Sequence, residues 1–415
     1  MITLPHHVEF LSDAWLSEAR SFLTRETQRL GDRLAPFTIS ERFGDAPPHL
    51  KFPQGVACWN ARFDGATLTV GRDFAADADV VVEGDYQAAL MAAQTVGALA
   101  PGRMQAALHE VRHIFGADAL RIRNRIANES TRELLGLLHD HLGRRTVENP
   151  DLAHRAQRLG IAGHVRDMEQ NGYAVIDNAI SAEFADEVRE ATLKALLPHH
   201  SVSLQWMLYH GQPFERIAQN PQLMTLIDAS LGRGACIASL SAIRRGPGPG
   251  FIPIHTDYSM VPEPYPEFAM TGVGVWAFED WTVASGPTWI VPGSHLERRG
   301  PRKGEGLDRG IPIEMPKGSV VYFTHGVWHW QGDRTEPGER VTLHSHFNRG
   351  ILRGLEPKKV DVQMMHRNPP RLGEMLGEDD WFDKLTAEGR DHLRAGYMMK
   401  LHQFTEERKR VLLEH

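Results

Sequence analysis

Between about residues 235 and 350 the chain cannot run far without meeting a turn. Gly246-Pro247-Gly248-Pro249-Gly250, Ser285-Gly286-Pro287, Pro292-Gly293-Ser294, Pro316-Lys317-Gly318 and Glu336-Pro337-Gly338 punctuate it. Proline lacks an amide hydrogen and fixes its own φ, and glycine opens conformations closed to other residues, so each cluster ends whatever element precedes it. Long helices are excluded here. The β-rich runs between the turns are short, and many short strands at this rhythm indicate a sandwich or barrel.

The flanking sequence reads differently. Residues from about 8 to 34 carry Leu16, Ala19, Phe22, Leu23 and Leu30 near one helical stripe. Trp59, Ala61 and Phe63 then alternate with polar residues, Asp64-Gly65 supplies a two-residue turn, and Ala66, Leu68 and Val70 continue the apolar face. Asp79-Val80-Val81-Val82-Glu83 reads as a further strand, and helical segments follow near 84–97, 102–114 and 129–142. This gives an α+β domain over 1–145. The polar stretch with Asn149-Pro150-Asp151 marks a linker at 146–160. From Gly172, Tyr173-Ala174-Val175-Ile176 forms a strand, and Ser181 can cap a helix starting at Ala182. The β-rich domain occupies 161–350, and 351–415 is a helical, charged extension.

With 415 residues the chain is comfortable for two domains, and a formal net charge of -7 with scattered basic residues argues against nucleic acid or an anionic membrane as partner. Cys58 and Cys236 are the only cysteines and stand in no CxxC arrangement, which fits a reducing cytoplasm. No signal peptide and no membrane-spanning stretch are expected.

Twenty-two histidines demand sorting by geometry. His255-Thr256-Asp257 lies in an extended segment, Phe251 to Tyr258, where residues two apart project from one face, so imidazole and carboxylate converge. His139-Asp140-His141 lies in a helix, where the same spacing sends the side chains roughly 200° apart. His6-His7 and His199-His200 are adjacent and ill-suited to share an ion. Two histidines and one carboxylate leave a coordination face free, as in non-haem Fe(II) oxygenases. The third ligand should come from a distant strand, and the run Phe323 to Trp330 offers His325 and His329. His329 is the better placed, because it leads towards Arg340, which with Thr342 shares the inward face of the next strand and suits a carboxylate. His344 and His346 have the same parity.

His255-x-Asp257, the run Ser285-Gly286-Pro287-Thr288-Trp289-Ile290-Val291-Pro292-Gly293-Ser294-His295, Gly318 to Phe323, His329 and Arg340 together resemble the phytanoyl-CoA dioxygenase family over roughly 170–350. The resemblance implies a double-stranded β-helix (jelly-roll) catalytic domain with flanking helices, using Fe(II), 2-oxoglutarate and O2. It implies metal ligands His255, Asp257 and His329, and Arg340 on the distal carboxylate of 2-oxoglutarate with help from Thr342. Trp276 would sit near the cosubstrate. Apart from the resemblance, His346, by its parity, and Tyr258 are the candidate substrate contacts. The first section more loosely resembles sterol carrier protein-2-like domains in its hairpin and in Ala78 to Asp85.

The expected activity is oxidoreductase: hydroxylation of a C–H bond in a small molecule, releasing succinate and CO2. Relatives that halogenate lack the carboxylate that Asp257 supplies. Two alternatives remain at this level. The same site could perform desaturation, epoxidation or cyclisation, or the chain could be a non-catalytic lipid- or metabolite-binding protein. A homo-oligomer is compatible with either, and Arg298, Arg299, Arg302 and Lys303 form either a solvated loop or a contact for an anionic substrate.

Overall fold

The computed structural model describes residues 7–97, 102–199, 202–258, 260–352, 354, 361–377, 385–386, 389–390 and 392–414. His6 and His200 lie outside them, as do parts of the expected C-terminal extension. The chain divides into two compact units, Met1–Arg155 with Val360–Gly373, and Ala156–Lys359 with Glu374–His415.

The first unit is built on a five-stranded sheet: β1 (Phe37–Gly44), β2 (Ala57–Phe63), β3 (Leu68–Gly71), β4 (Val80–Asp85) and β5 (Leu120–Asn124). Their order is β3-β2-β1-β4-β5, antiparallel except for the parallel β1/β4 pair. Helix Asp13–Leu30 starts at the Ser12 cap and buries Trp15, Leu16, Ala19, Phe22 and Leu23 in a core shared with Phe37, Ile39, Trp59, Ala61 and Phe63. Trp59 and Phe63 are therefore consumed by this unit's own core. The hairpin turn sits one residue later than the dipeptide Asp64-Gly65 suggests. Asp64 and Thr67 close it by a backbone bond of 3.2 Å, the central residues are Gly65 (φ 100°) and Ala66, and Ala66 is exposed.

The division between the two units, at Arg155/Ala156, falls inside the expected 146–160 boundary, but these residues are structured rather than a free linker. Thr146–Val147 pairs in parallel with Val8–Glu9, and helix Leu152–Arg158 follows at once. Asn149 and Asp151 are buried: the Asn149 side chain accepts from the Asp151 amide, and Asp151 caps the helix by accepting from the His154 amide at 3.1 Å. The polar residues that suggest a break are helix-entry residues. The expected C-terminal extension is also divided, since Val360–Gly373 groups with the first unit.

The second unit contains two antiparallel sheets, as a jelly roll requires. The larger is formed by β6 (Tyr173–Ile176), β7 (Ser203–Leu204), β8 (Cys236–Arg245), β9 (Thr271–Ala277), β12 (Val320–Thr324) and β14 (Arg340–Asn348). The smaller comprises β10 (Thr288–Ile290), β11 (Ile311–Pro312) and β13 (His329–Gln331). Their orders are β6-β12-β9-β14-β8-β7 and β11-β10-β13. Ser181 caps helix Ala182–Leu196 by accepting from the Phe184 amide at 3.2 Å, as the sequence suggests.

Parity assigns the two faces of the larger sheet. Val273, Val275, Ala277, Val321 and Phe323 form a core with Trp281, Ile290 and Val327, so they face the smaller sheet. Gly272, Gly274, Trp276 and Tyr322 face the other way. There, helix Pro221–Leu231 packs so closely that a Cβ on Gly274 would lie 3.1 Å from Leu223, and Ser230 bonds the Tyr322 hydroxyl at 2.7 Å.

One acid stands among the core-facing residues of the first unit. Glu41 shares parity with Phe37, Ile39 and Phe43 and accepts from the Trp59 indole at 2.6 Å. Burial pushes its carboxyl from 4.5 up to about 7, although the indole bond opposes the shift. A carboxyl raised on folding contributes stability below about pH 4.5, and that contribution is lost as pH rises through 7. Glu41→Gln should therefore stabilise the protein by about 2–3 kcal/mol at pH 8 and by little at pH 4.5. Denaturant melts of both proteins at the two pH values check this.

Candidate metal centre

The approach to the site is set by backbone packing. Gly250 runs so close to β13 that a Cβ would fall 1.9 Å from the Gln331 carbonyl oxygen, so only glycine allows this course. The chain then pairs with β13: the Gln331 amide donates to Ile252 O at 3.1 Å, and His255 and His329 exchange two backbone bonds of 3.0 Å each. The extended segment expected over 251–258 is reduced to this single bridge, after which the chain turns at Asp257 and Tyr258. Convergence of the side chains survives. His255 Nε2 lies 3.3 Å from Asp257 Oδ1, and His329 Nε2 lies 3.8 Å from Asp257 Oδ2. The His255 and His329 rings are 4.3 Å apart between centroids.

The ligand atoms of His255, Asp257 and His329 all lie within 4.8 Å of one another. The tautomers are set as well. His255 Nδ1 donates to Pro253 O at 2.9 Å and His329 Nδ1 to Val327 O at 3.0 Å. A carbonyl only accepts, so each Nδ1 carries the proton and each Nε2 presents a lone pair to the centre. This donor set fits a divalent metal with an open coordination face. Burial would raise the Asp257 carboxyl, but His329, His325 and His255 outweigh it and hold the group well below the usual carboxylate range. Asp257 is thus a carboxylate at neutral pH. Burial lowers His329, and the nearby Asp257 only partly offsets this.

His325, the other candidate third ligand, sits in the turn between β12 and β13 and also reaches the centre. Its Nδ1 lies 2.6 Å from Thr271 Oγ1 and its Nε2 lies 3.4 Å from Asp257 Oδ2. Asp257, His325 and His346 form a second set of potential ligands within 4.8 Å of one another. His346 projects from the inward face of β14, opposite Val273. Its only legible signal was that parity. In the helix Glu129–Gly143, His139 turns to Thr95 O and His141 to Glu18, so that pair diverges as expected.

Arg340 opens β14 and is buried. Its Nη1 donates to Gly286 O, its Nε has no hydrogen-bond partner, and its guanidinium lies 4.9 Å from the Trp281 ring centre. Burial and then the nearby Arg245 lower it to about 10, still a cation at neutral pH. Thr342, two residues on, lies 3.1 Å from His344 Nε2. Sequence reasoning missed Trp281 and Arg334, which loops bring here, and Arg245, which the end of β8 places opposite Arg340.

Trp276 does not belong with these residues. It pairs with Leu343 and Val320, is fully buried on the outer face, and donates to Ser345 Oγ at 3.3 Å. The aromatic against Arg340 is Trp281. Tyr258 is buried, and its hydroxyl accepts from the Met270 amide at 2.8 Å. It lines a cavity of about 400 Å³ with Tyr265, Phe268, His295, Thr324 and Arg349. The basic loop is neutralised locally: Arg298 pairs with Glu267, Arg299 with Glu297 and Glu305, and Arg302 with Glu263. Those arginines are not an open anion contact.

Residues 168–340 match the family model for phytanoyl-CoA dioxygenase (PhyH). The chain carries a PhyH domain. Dioxygenase af480 of Aspergillus fumigatus is 26% identical over 162 residues, covering 38% of this chain and 52% of that protein. An uncharacterised protein of Mycobacterium tuberculosis is 21% identical over 197 residues, 44% of this chain and 68% of that one. The chain thus spans about half the length of the fungal dioxygenase. Among solved structures, HygX from Streptomyces hygroscopicus with nickel and 2-oxoglutarate bound has a TM-score of 0.40 at 14% identity, covering 46% of this chain and 88% of its own. The 2-oxoglutarate-dependent carbocyclase SnoK of nogalamycin biosynthesis has a TM-score of 0.39 at 17% identity, covering 48% and 93%. Likeness at that level carries no argument about this chain.

The two tryptophans give a direct check of the faces. Trp276→Phe should lower stability by about 0.5–1.5 kcal/mol through its lost hydrogen bond and leave 2-oxoglutarate affinity unchanged. Trp281→Leu should weaken that affinity by about 0.5–2 kcal/mol through the lost cation–π contact. Calorimetric titration with thermal melts separates the two effects.

Proposed function

We propose that this chain is an Fe(II)- and 2-oxoglutarate-dependent dioxygenase that hydroxylates a small molecule. The observation that carries the reading is the pair of preset Nε2 lone pairs on His255 and His329 beside the Asp257 carboxylate. The PhyH domain match over 168–340 points the same way. Iron held by these three residues would supply dioxygen activation, with one oxygen atom delivered to the substrate and one to succinate as 2-oxoglutarate loses CO2.

The protein's own residues bind and orient. Asp257, held ionised, supplies one negative charge to the metal and occupies a position that would otherwise be open. Arg340 is the anchor for a cosubstrate carboxylate. It is a buried cation beside two others, Arg245 and Arg334; Glu279 faces it but also pairs with Arg189 at 3.5 Å, and the partly exposed Glu336 lies 3.7 Å from Arg334. Burial of positive charge in excess calls for an anion, and the unpartnered Arg340 Nε is a donor available to one. Thr342 offers a hydroxyl on the same face. Tyr258 and His346 are the proposed substrate contacts, near a wall of Val273, Val275 and Phe323 that limits water. Neither Cys58 nor Cys236 forms a disulfide, in keeping with a reducing compartment, and among the described residues no helix is long and apolar enough to cross a membrane.

Arg340→Lys keeps the charge and loses the planar fork. 2-Oxoglutarate should then bind more weakly by about 1.5–3 kcal/mol, roughly ten- to hundredfold. Titration of the metal-loaded protein measures this, and an unchanged affinity would remove Arg340 from the site.

A further inference from the structure

His325 is joined to Asp257 through its main chain as well as its ring. Its amide donates to Thr271 O at 3.1 Å, and its carbonyl accepts from the Asp257 amide at 3.1 Å. These bonds set the buried ring between Thr271, which opens β9, and the Asp257 carboxylate. Nδ1 lies 2.6 Å from Thr271 Oγ1, and Nε2 lies 3.4 Å from Asp257 Oδ2.

The partners on either side assign the proton of that ring. A carboxylate oxygen only accepts, so a lone pair on Nε2 would be repelled by it and an N–H is attracted. Nε2 therefore carries the hydrogen, and Nδ1 accepts from the Thr271 hydroxyl. This is the reverse of His255 and His329, whose Nδ1 atoms face carbonyls that can only accept. Those two rings present lone pairs at Nε2, whereas His325 presents a donor. The difference lies in the partner each Nδ1 is given, a carbonyl or a hydroxyl.

Asp257 has use for such a donor. Among the described residues its carboxylate takes no bond from an amide or a hydroxyl. Its neighbours are three imidazoles: His255 at 3.3 Å, His325 at 3.4 Å and His329 at 3.8 Å. His329 nears the same oxygen as His325 but turns a lone pair towards the centre, so the hydrogen for that oxygen comes from His325.

We propose that His325 is a positioning residue: Thr271 sets its tautomer, and its Nε2–H fixes the rotation of the Asp257 carboxylate that meets the metal. This rests on the reading of Asp257 as a metal ligand. A carboxylate held in this way keeps its place beside His255 and His329 and does not swing across the open coordination face. Outer partners of ligating groups typically contribute about ten- to hundredfold in metal affinity or activity.

The probe is Co(II), titrated into metal-free full-length protein and followed by calorimetry and visible absorption. His325→Phe keeps the ring without a donor, and His325→Gln places an amide N–H near the Nε2 position. His325→Phe should bind the ion about ten- to hundredfold more weakly, with an altered Co(II) spectrum. His325→Gln should recover most of the affinity and the wild-type spectrum. Thr271→Val, which leaves His325 in place, should move both readouts in the direction of His325→Phe and by less. A purely structural role would lower the melting temperature of metal-free His325→Phe and leave Co(II) affinity and spectrum unchanged, which overturns the proposal. If His325→Phe does not fold, wild-type affinity and spectrum in Thr271→Val overturn it instead. Loss of the ion in both His325 variants with retention in His329→Ala makes His325 a ligand, and the proposal fails. A wild type that binds no Co(II) overturns the reading of Asp257 itself.

Discussion

The site depends on a single backbone constraint: His255 and His329 exchange both of their amide–carbonyl hydrogen bonds. Opposed residues in such a pair have their side chains on one face, so two imidazoles from segments more than seventy positions apart arrive together without any side-chain interaction selecting them. Each ring is then turned by its own chain, through Nδ1 to the carbonyl two residues earlier. Register and tautomer are therefore fixed by the backbone before a metal arrives. Gly250 is part of the same constraint, since a side chain there would drive the segment away from β13.

The larger sheet contributes by parity. Arg340, Thr342, His344 and His346 lie on one face of β14 because a strand alternates, and the neighbouring β9 fixes which face is inward. The same alternation places Trp276 outside, among glycines that admit the helix Pro221–Leu231. Polar and ionisable groups thus gather on one surface of the sheet while tight apolar packing fixes the other. A one-residue slip of β14 would exchange the two surfaces and remove every inward group at once.

Much of this was legible in the sequence where chemistry and local geometry coincide. The short strand Tyr173–Ile176, the Ser181 cap and the approach of His255 to Asp257 all follow from patterns a few residues long. The first section's strands and helices were legible in kind, with the hairpin turn displaced by one residue because Gly65 takes the first central position. What was lost depends on distant placement. Asn149 and Asp151 are as polar as linker residues, but their side chains are spent on a helix start within the first unit. Trp276 could be assigned a face only from the register of β9 against β14. His325 sits in a turn, and its ring enters the centre because Thr271, on another strand, holds it there.

The measurement that bears most directly on the central claim is succinate formation from 2-oxoglutarate by the purified full-length protein, with and without Fe(II) and O2. Slow cosubstrate turnover uncoupled from any substrate is expected only when both are supplied, and it should disappear in His255→Ala and Asp257→Ala while their melting curves remain cooperative. Succinate production that persists in those variants, or that needs neither iron nor oxygen, would contradict the assignment of this centre.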